Sequence, residues 1–252
     1  MANIIFLGTG TSTGVPEIGC PCEVCTSKDP RDRRLRTSVL LGTKGKNILL
    51  DCGPDFRWQM IRHKIHSLDA VVISHEHYDH VGGLDDLRPF CFEKGIDIYA
   101  EDYVAEAIRN RMPYAFRTHH YPGLPNLKLH PVQNRPFPVA GIQVTPVRVM
   151  HACMKIFGYR IGNMAYLTDV KHIPEEEYSK LEGLDILIIN ALRKKTHPSH
   201  ESLGEALANI ARIRPKEAFL IHLSHRMGLH ALVEQELPPH IHLAYDGLSV
   251  DF

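Results

Sequence analysis

Short apolar runs separated by polar, glycine- and proline-bearing segments set the rhythm of the chain. Asn3 to Gly8 reads as a strand, followed by a long loop from Thr9 to Arg36 rich in Gly, Thr, Pro, Cys and charge. Ser38 to Gly42 and Asn47 to Cys52 flank Thr43-Lys44-Gly45-Lys46 and predict a hairpin. Pro54 opens a helix to about His63, with proline in its first turn. The apolar run Asp69 to Ser74 predicts a buried strand that runs directly into His75. A helix near Gly83 to Phe90, a strand Asp97 to Ala100 and a helix Asp102 to Arg111, capped by Asp102, come next. Pro113 to Pro125 reads as a long loop. Strands are expected at Leu127 to Val132, Ile142 to Val149, Phe157 to Ile161 and Ala165 to Thr168. A helix Pro174 to Leu181 then precedes a strand Leu184 to Asn190. The helix Ser202 to Ile213, strand Ala218 to Leu223, helix Leu229 to Glu236 and strand Ile241 to Tyr245 complete the pattern. Strands too numerous for one small sheet, alternating later with helices, predict a layered α/β sandwich in a single domain spanning 1–252.

Composition narrows the function. Lys+Arg and Asp+Glu both number 29, so the basic excess usual in a protein gripping nucleic-acid backbone is missing, and no nucleic-acid polymer is expected as partner. No apolar run approaches the ~18 residues of a membrane span, and the opening Met-Ala-Asn-Ile-Ile-Phe-Leu-Gly lacks the basic start of a signal peptide. No membrane partner and a cytoplasmic location follow as expectations. The chain holds 17 His, and imidazole is both the commonest metal ligand and the usual acid or base near neutral pH.

The densest chemistry is Ser74-His75-Glu76-His77-Tyr78-Asp79-His80, directly after a strand. His75 and His77 are two apart, so an extended backbone points both to one side. Asp79 and His80 follow where the chain turns toward Gly82-Gly83, and can reach a second nearby point. Imidazole with carboxylate suits Zn, Mn or Fe, and this run alone leaves the shell of two metals incomplete.

The H-x-H-x-D-H run resembles the signature of the metallo-β-lactamase superfamily. Phe6-Leu7-Gly8-Thr9-Gly10, Leu50-Asp51-Cys52-Gly53, His151 after Val144 to Val149, Tyr166-Leu-Thr-Asp169 and Phe219-Leu-Ile-His222 extend the resemblance over most of the chain. It implies an αββα four-layer sandwich, two mixed sheets flanked by helices. It also implies two divalent metals (Mn or Zn, with Fe admitted). His75, His77, His151 and Asp169 would hold one; Asp79, His80, His222 and Asp169 would hold the other. Asp51 is expected to support the ligands by hydrogen bonds rather than bind metal.

Cys20, Cys22 and Cys25 form C-x-C-x2-C within a loop at 19–26. Three thiolates need a fourth ligand to close a tetrahedral structural zinc, and His225, three residues after His222, is a candidate. This loop, Gly158-Tyr159 and Ile221-His222-Leu-Ser-His225 are similar to the PhnP-type phosphodiesterases of the superfamily. Those enzymes open 5-phosphoribosyl 1,2-cyclic phosphate and accept 2′,3′-cyclic nucleotides. The likeness implies that Cys20, Cys22, Cys25 and His225 hold zinc, and that His200, with Asp79, is catalytic. The basic run Arg193-Lys194-Lys195 and the aromatic stretch around Tyr114 to Tyr121 depart from that pattern.

A metal-dependent phosphodiesterase opening a small cyclic phosphate is the leading expectation, with a small phosphate-containing substrate as partner. His200 is the expected proton donor to the leaving group. Arg57, Arg88, Lys155, Arg193, Lys194 and Lys195 are the basic side chains available to a second phosphate, though solvated surface charge is the commoner fate of each. Paired loops of two subunits could supply them, which admits a homodimer. Two other readings use the same residues: a hydrolase of a lactone, a thioester, another ester or tRNA 3′ ends, the last disfavoured by the missing basic excess, and a non-hydrolytic protein of quinone-cofactor biosynthesis.

Overall fold

The computed structural model describes residues 2–91, 94–116 and 123–252. β1 (Asn3–Gly8), β2 (Ser38–Thr43) and β3 (Lys46–Leu50) form an antiparallel meander. After α1 (Phe56–Arg62) the chain adds β4 (Ala70–Val72) parallel to β3. The short α2 (Tyr78–Val81) then leads to β5 (Ile96–Glu101), and α3 (Asp102–Arg111) to β6 (Leu127–Val132), both added in parallel. The second sheet starts as another antiparallel meander, β7 (Phe137–Val139), β8 (Ile142–His151), β9 (Met154–Ile161) and β10 (Met164–Leu167). It continues in parallel through β11 (Ile186–Asn190), α4 (Leu203–Ile213), β12 (Glu217–Ile221), α5 (His230–Glu236) and β13 (Ile241–Leu243). β14 (Ser249–Asp251) returns to the first sheet, antiparallel to β1. Each sheet has seven strands, ordered β14-β1-β2-β3-β4-β5-β6 and β13-β12-β11-β10-β9-β8-β7.

The side-chain alternation of each strand builds the layers. Phe6, Leu41, Ile48 and Leu50 pack inward against Phe157, Tyr159, Tyr166, Ile188 and Phe219 of the facing sheet. Their neighbours Leu7, Leu40 and Leu49 pack outward, with Phe56, Met60, Val104 and Ile108 of α1 and α3. On the far side Leu187, Ile189 and Leu220 meet Ala206, Ile210 and Val233 of α4 and α5. The result is the expected αββα sandwich of two mixed sheets.

Local differences from the sequence reading have physical causes. Leu84–Phe90 and Glu175–Leu181 are 3₁₀ rather than α-helical; the first carries Pro89, which cannot donate in an α-helical ladder. Glu101, not Asp102, occupies the N-cap position of α3, and no side-chain cap bond forms there. Pro113–Phe116 makes a 3₁₀ turn, and part of the expected loop after it, 117–122, lies outside the described residues. The edge strands β7 and β14 carry too little apolar pattern to be read alone; β7 contains Pro138, tolerated at a sheet edge.

Candidate metal centre

The parallel halves of both sheets end at one rim, and the chemistry collects there. Three residues that leave these strands sit in the left-handed region: Asp51 (φ 61°) after β3, Asp169 (φ 56°) after β10 and His222 (φ 55°) after β12. Such backbone is costly for side chains other than glycine, and strain of this kind concentrates at functional sites. Past β4 the chain leaves regular structure from Ser74 to His77, with bends at Ser74 and Glu76 and an extended His77, and His75 Nε2 lies 3.0 Å from His77 Nδ1. α2 then turns Asp79 and His80 toward a second point. Two glycines let this loop close up. A Cβ on Gly53 would lie 2.2 Å from the Asp79 carbonyl oxygen, and one on Gly83 2.1 Å from that of Gly53.

The structure brings the predicted residues together in two clusters. Donor atoms of His75, His77, His151 and Asp169 lie within 4.8 Å of one another, as do those of Asp79, His80 and His222. Asp169 joins the clusters: its Oδ1 is 3.2 Å from both His80 Nε2 and His222 Nδ1, and its Oδ2 is 3.8 Å from His75 Nε2. His200 completes the rim, with Nε2 3.0 Å from Asp169 Oδ2. All except His77 and His200 are buried.

The donor set fits a pair of cations. His80 Nε2 is buried and makes no hydrogen bond, although carboxylate oxygens of Asp79 and Asp169 lie 3.2 Å away. Three donors aimed at one point without bonding each other is what a shared ion requires. Burial pushes His75 well below its ordinary pKa, lowers His151 and takes His222 down to about 4, so these imidazoles are neutral. Burial works against the charge of Asp79 and Asp169, yet the raised, protonated His80 beside both, and the hydrogen bond of His200 to Asp169, keep them ionised. Neutral imidazole and ionised carboxylate are the ligating forms. Burial also works against a charge on His80, but Asp79, Asp169 and Asp51 overcome it and drive its pKa up. That surplus of buried carboxylate is a deficit of positive charge, which a divalent cation would meet.

A hydrogen-bonded second layer orients the imidazoles. Asp51 Oδ2 accepts from His80 Nδ1 (2.8 Å), Ser74 Oγ (2.9 Å) and Tyr166 OH (2.8 Å), while its Oδ1 accepts from the Ser74 N–H (2.8 Å). His151 Nδ1 donates to the Ser199 carbonyl at 2.8 Å. Both bonds leave the Nε2 atoms facing the cluster. Sequence reasoning placed Asp51 in this supporting position but missed Ser74, Tyr166 and Ser199. The first two stand beside or near motif residues in the chain, and adjacency was the available signal.

A separate cluster forms where the Thr9–Arg36 loop meets the end of β12. Sγ of Cys20 and Cys25 lies 3.2 Å from His225 Nδ1, and that of Cys22 3.8 Å. The three cysteines form no disulfide, and one ligand atom from each of the four residues falls within 4.8 Å of the rest. Three soft sulfurs with one imidazole, all used and none left open, match the donor set of a closed zinc site.

Three of the basic candidates are held by neighbours of their own, and the other three are exposed. Arg88 pairs with Asp85 (2.8 Å) and Lys194 with Glu236 (2.6 Å). Arg193 donates to the carbonyls of Lys195 and Thr196 in its own loop. Arg57, Lys155 and Lys195 are exposed.

Two mixed sheets with helices outside and a His/Asp cluster at their shared rim define a metallo-β-lactamase-type protein. The sequence matches the Beta-lactamase superfamily domain over residues 46–223, and the chain belongs to that superfamily. It is 38% identical to a crystal structure described as a new diphosphatase from the PhnP family, with a TM-score of 0.93, covering 100% of this chain and 98% of that one. The fold is shared also by Zn²⁺-bound PqqB from Methylobacterium extorquens (21% identity, TM-score 0.80, 99% of this chain and 100% of that one). A Porphyromonas gingivalis protein named octanoyltransferase is 53% identical over 97% of this chain but only 50% of its own length. The chain spans half or less of the first curated relatives it matches. Among the described residues, no helix is long and apolar enough to cross a membrane.

Proposed function

We propose that the protein is a dinuclear-metal hydrolase that opens a phosphodiester bond in a small substrate, of the cyclic-phosphate type. The observation that carries the reading is the joining of two ligand-type clusters by the single carboxylate of Asp169. In this reading His75, His77, His151 and Asp169 would hold one cation, and Asp79, His80 and His222, with Asp169, the other. A bound cation pair would lower the pKa of a water and neutralise the charge on a phosphodiester. The chain itself fixes the imidazoles through Asp51 and Ser199 and presents His200 at the rim, where it protonates the departing oxygen. The likeness to a PhnP-family diphosphatase over the whole chain supports a phosphate substrate.

The second reading is hydrolysis of an acyl ester or thioester by the same site, favoured by the name of the Porphyromonas gingivalis relative. One substrate panel separates the two: a 2′,3′-cyclic nucleotide, bis(p-nitrophenyl) phosphate, a nucleoside diphosphate and an octanoyl thioester, given to the metal-loaded protein. The expected result is turnover of the phosphodiesters, abolished by Asp169→Ala and by His77→Ala. Turnover of the thioester alone would replace the first reading by the second.

A further inference from the structure

His200 lies at the end of the segment 193–200, Arg-Lys-Lys-Thr-His-Pro-Ser-His, and the structure holds that segment firmly. Backbone bonds close its base: Leu192 N–H to the Glu201 carbonyl (2.9 Å) and Leu203 N–H to the Arg193 carbonyl (2.9 Å). The Glu201 N–H donates to the Val170 carbonyl at 2.7 Å, which ties the loop to the residue after Asp169. The Ser199 carbonyl, by accepting from His151, ties it to the first cluster as well.

Within this frame the two edges of the His200 ring meet different neighbours. Nε2 faces Asp169. Nδ1 lies 3.0 Å from Ser199 Oγ and 3.3 Å from His197 Nδ1. His197 Nδ1 also takes the Ser199 N–H (3.3 Å), which can only donate, and lies 3.1 Å from Ser199 Oγ, so this nitrogen is the bare one and puts an acceptor beside the Ser199 hydroxyl and the Nδ1 edge of His200. The ring centroids of the two histidines are 5.2 Å apart. His197 is therefore locked by the backbone of its own turn and applied to the edge of His200 that points away from the site.

Building on the phosphodiesterase reading, we propose that His197 is a positioning residue for the cleavage step: with Ser199 it holds the Nδ1 edge of His200 so that Nε2 is presented to the leaving oxygen. In that step the oxygen of a water bonds to phosphorus and the bond from phosphorus to the leaving oxygen breaks. The electron pair stays on that oxygen, which takes the proton from His200 Nε2. The proton shed by the attacking water passes to solvent, and His200 is reprotonated from it.

Leaving-group dependence tests the proposal. A sugar alkoxide needs a proton as it departs; p-nitrophenolate departs without one. The probes are a 2′,3′-cyclic nucleotide and bis(p-nitrophenyl) phosphate, given to the metal-loaded wild type, His200→Ala, His197→Ala, His197→Asn and the double alanine variant, with metal content measured for each. On the cyclic nucleotide, kcat is expected to fall ~10²-fold or more in His200→Ala, the range of general-acid contributions, and about tenfold in His197→Ala, with KM little changed. Both losses are expected to be smaller on the aryl ester. His197→Asn, whose side-chain oxygen replaces the acceptor, should recover part of the rate. The double variant should be no slower than His200→Ala, because His197 acts through it. Equal losses on both substrates, multiplicative losses in the double variant, or metal loss in His197→Ala would overturn the positioning role while leaving the phosphodiesterase reading in place. A metal-loaded wild type that cleaves neither ester would overturn that reading, and this one with it.

Discussion

Asp51 shows how much of the site depends on side chains that need not touch a substrate. Its Oδ2 takes three hydrogen bonds, from His80, Ser74 and Tyr166, in a fully buried position. Asparagine would bring an amide N–H₂ against at least one donor that has no other place to turn. A buried polar group left unsatisfied costs about 1–3 kcal/mol. His80 would also lose the partner that fixes its Nδ1–H, and losses of this kind cost about 10–100-fold in metal affinity. Asp51→Asn is thus expected to lower both the melting temperature and the affinity for divalent cation, read by denaturation and by chelator competition. Unchanged cation affinity would show that the His80 orientation is set elsewhere. At this scale the sequence was most legible where chemistry is dense along the chain. The run His75 to His80 carries its own spacing, whereas His151, Asp169 and His222 were placed by the resemblance to the superfamily, with the apolar strand that each follows as support. His197 and Tyr166 were not legible as helpers, since their roles exist only through contacts with His200 and Asp51 across the fold. Lys194 was equally hidden, taken up by the sequence-distant carboxylate of Glu236, whereas Arg88 pairs with Asp85 at the i,i+3 spacing of a helical turn and was legible in principle.

Elements with a strong apolar period were read close to their bounds, as α4 illustrates. The sequence puts its start at Ser202, and the structure makes that serine the N-cap of a capping box. The Glu205 carboxylate reaches back to the Ser202 N–H at 2.7 Å, and Ser202 Oγ accepts from the Glu205 N–H. Lys171 adds a 2.6 Å contact to the same carboxylate. Ser202→Ala should cost about 1 kcal/mol, the usual worth of such a cap, measured as a shift in the urea midpoint without a change in slope. KM should hold, because the loop ahead of α4 is closed by backbone bonds that the serine side chain does not make. The elements that were misread lack local signal. A 3₁₀ turn and an α-helix share apolar spacing over one or two turns, so Leu84–Phe90 and Glu175–Leu181 differ from α-helix mainly in hydrogen bonding. β14 is a strand only because β1 offers its free edge, a pairing between opposite ends of the chain.

At the scale of the whole molecule, the loop from Thr9 to Arg36 binds the two sheets together at the functional rim, by two separate devices. Near its ends the ties are ordinary polar contacts. Asp246 accepts from Thr9 N–H (2.9 Å), Thr9 Oγ (2.8 Å) and Leu35 N–H (2.7 Å), while buried Arg34 donates to Thr9 Oγ and the Ala244 carbonyl. Asp32 accepts from the His230 N–H at 2.8 Å. In its middle, the hydrophobic contacts are few: Val15, Val24 and Cys25, with Leu229 beside them. There the three thiols and His225, separated by about 200 residues, would need an ion to hold them. A link across so long a stretch restricts the unfolded chain strongly, and a structural zinc adds its binding energy to folding. Cys22→Ser, or a chelator strong enough to strip the thiolate site, is expected to expose the stretch 16–29 to protease and to remove one zinc per chain. The polar ties of Arg34, Asp32 and Asp246 should keep the sandwich folded, with far-ultraviolet circular dichroism unchanged. If the stripped protein instead loses its secondary structure, the zinc is part of the folding core; if protease resistance survives Cys22→Ser, the cluster is a set of free thiols held by the loop alone.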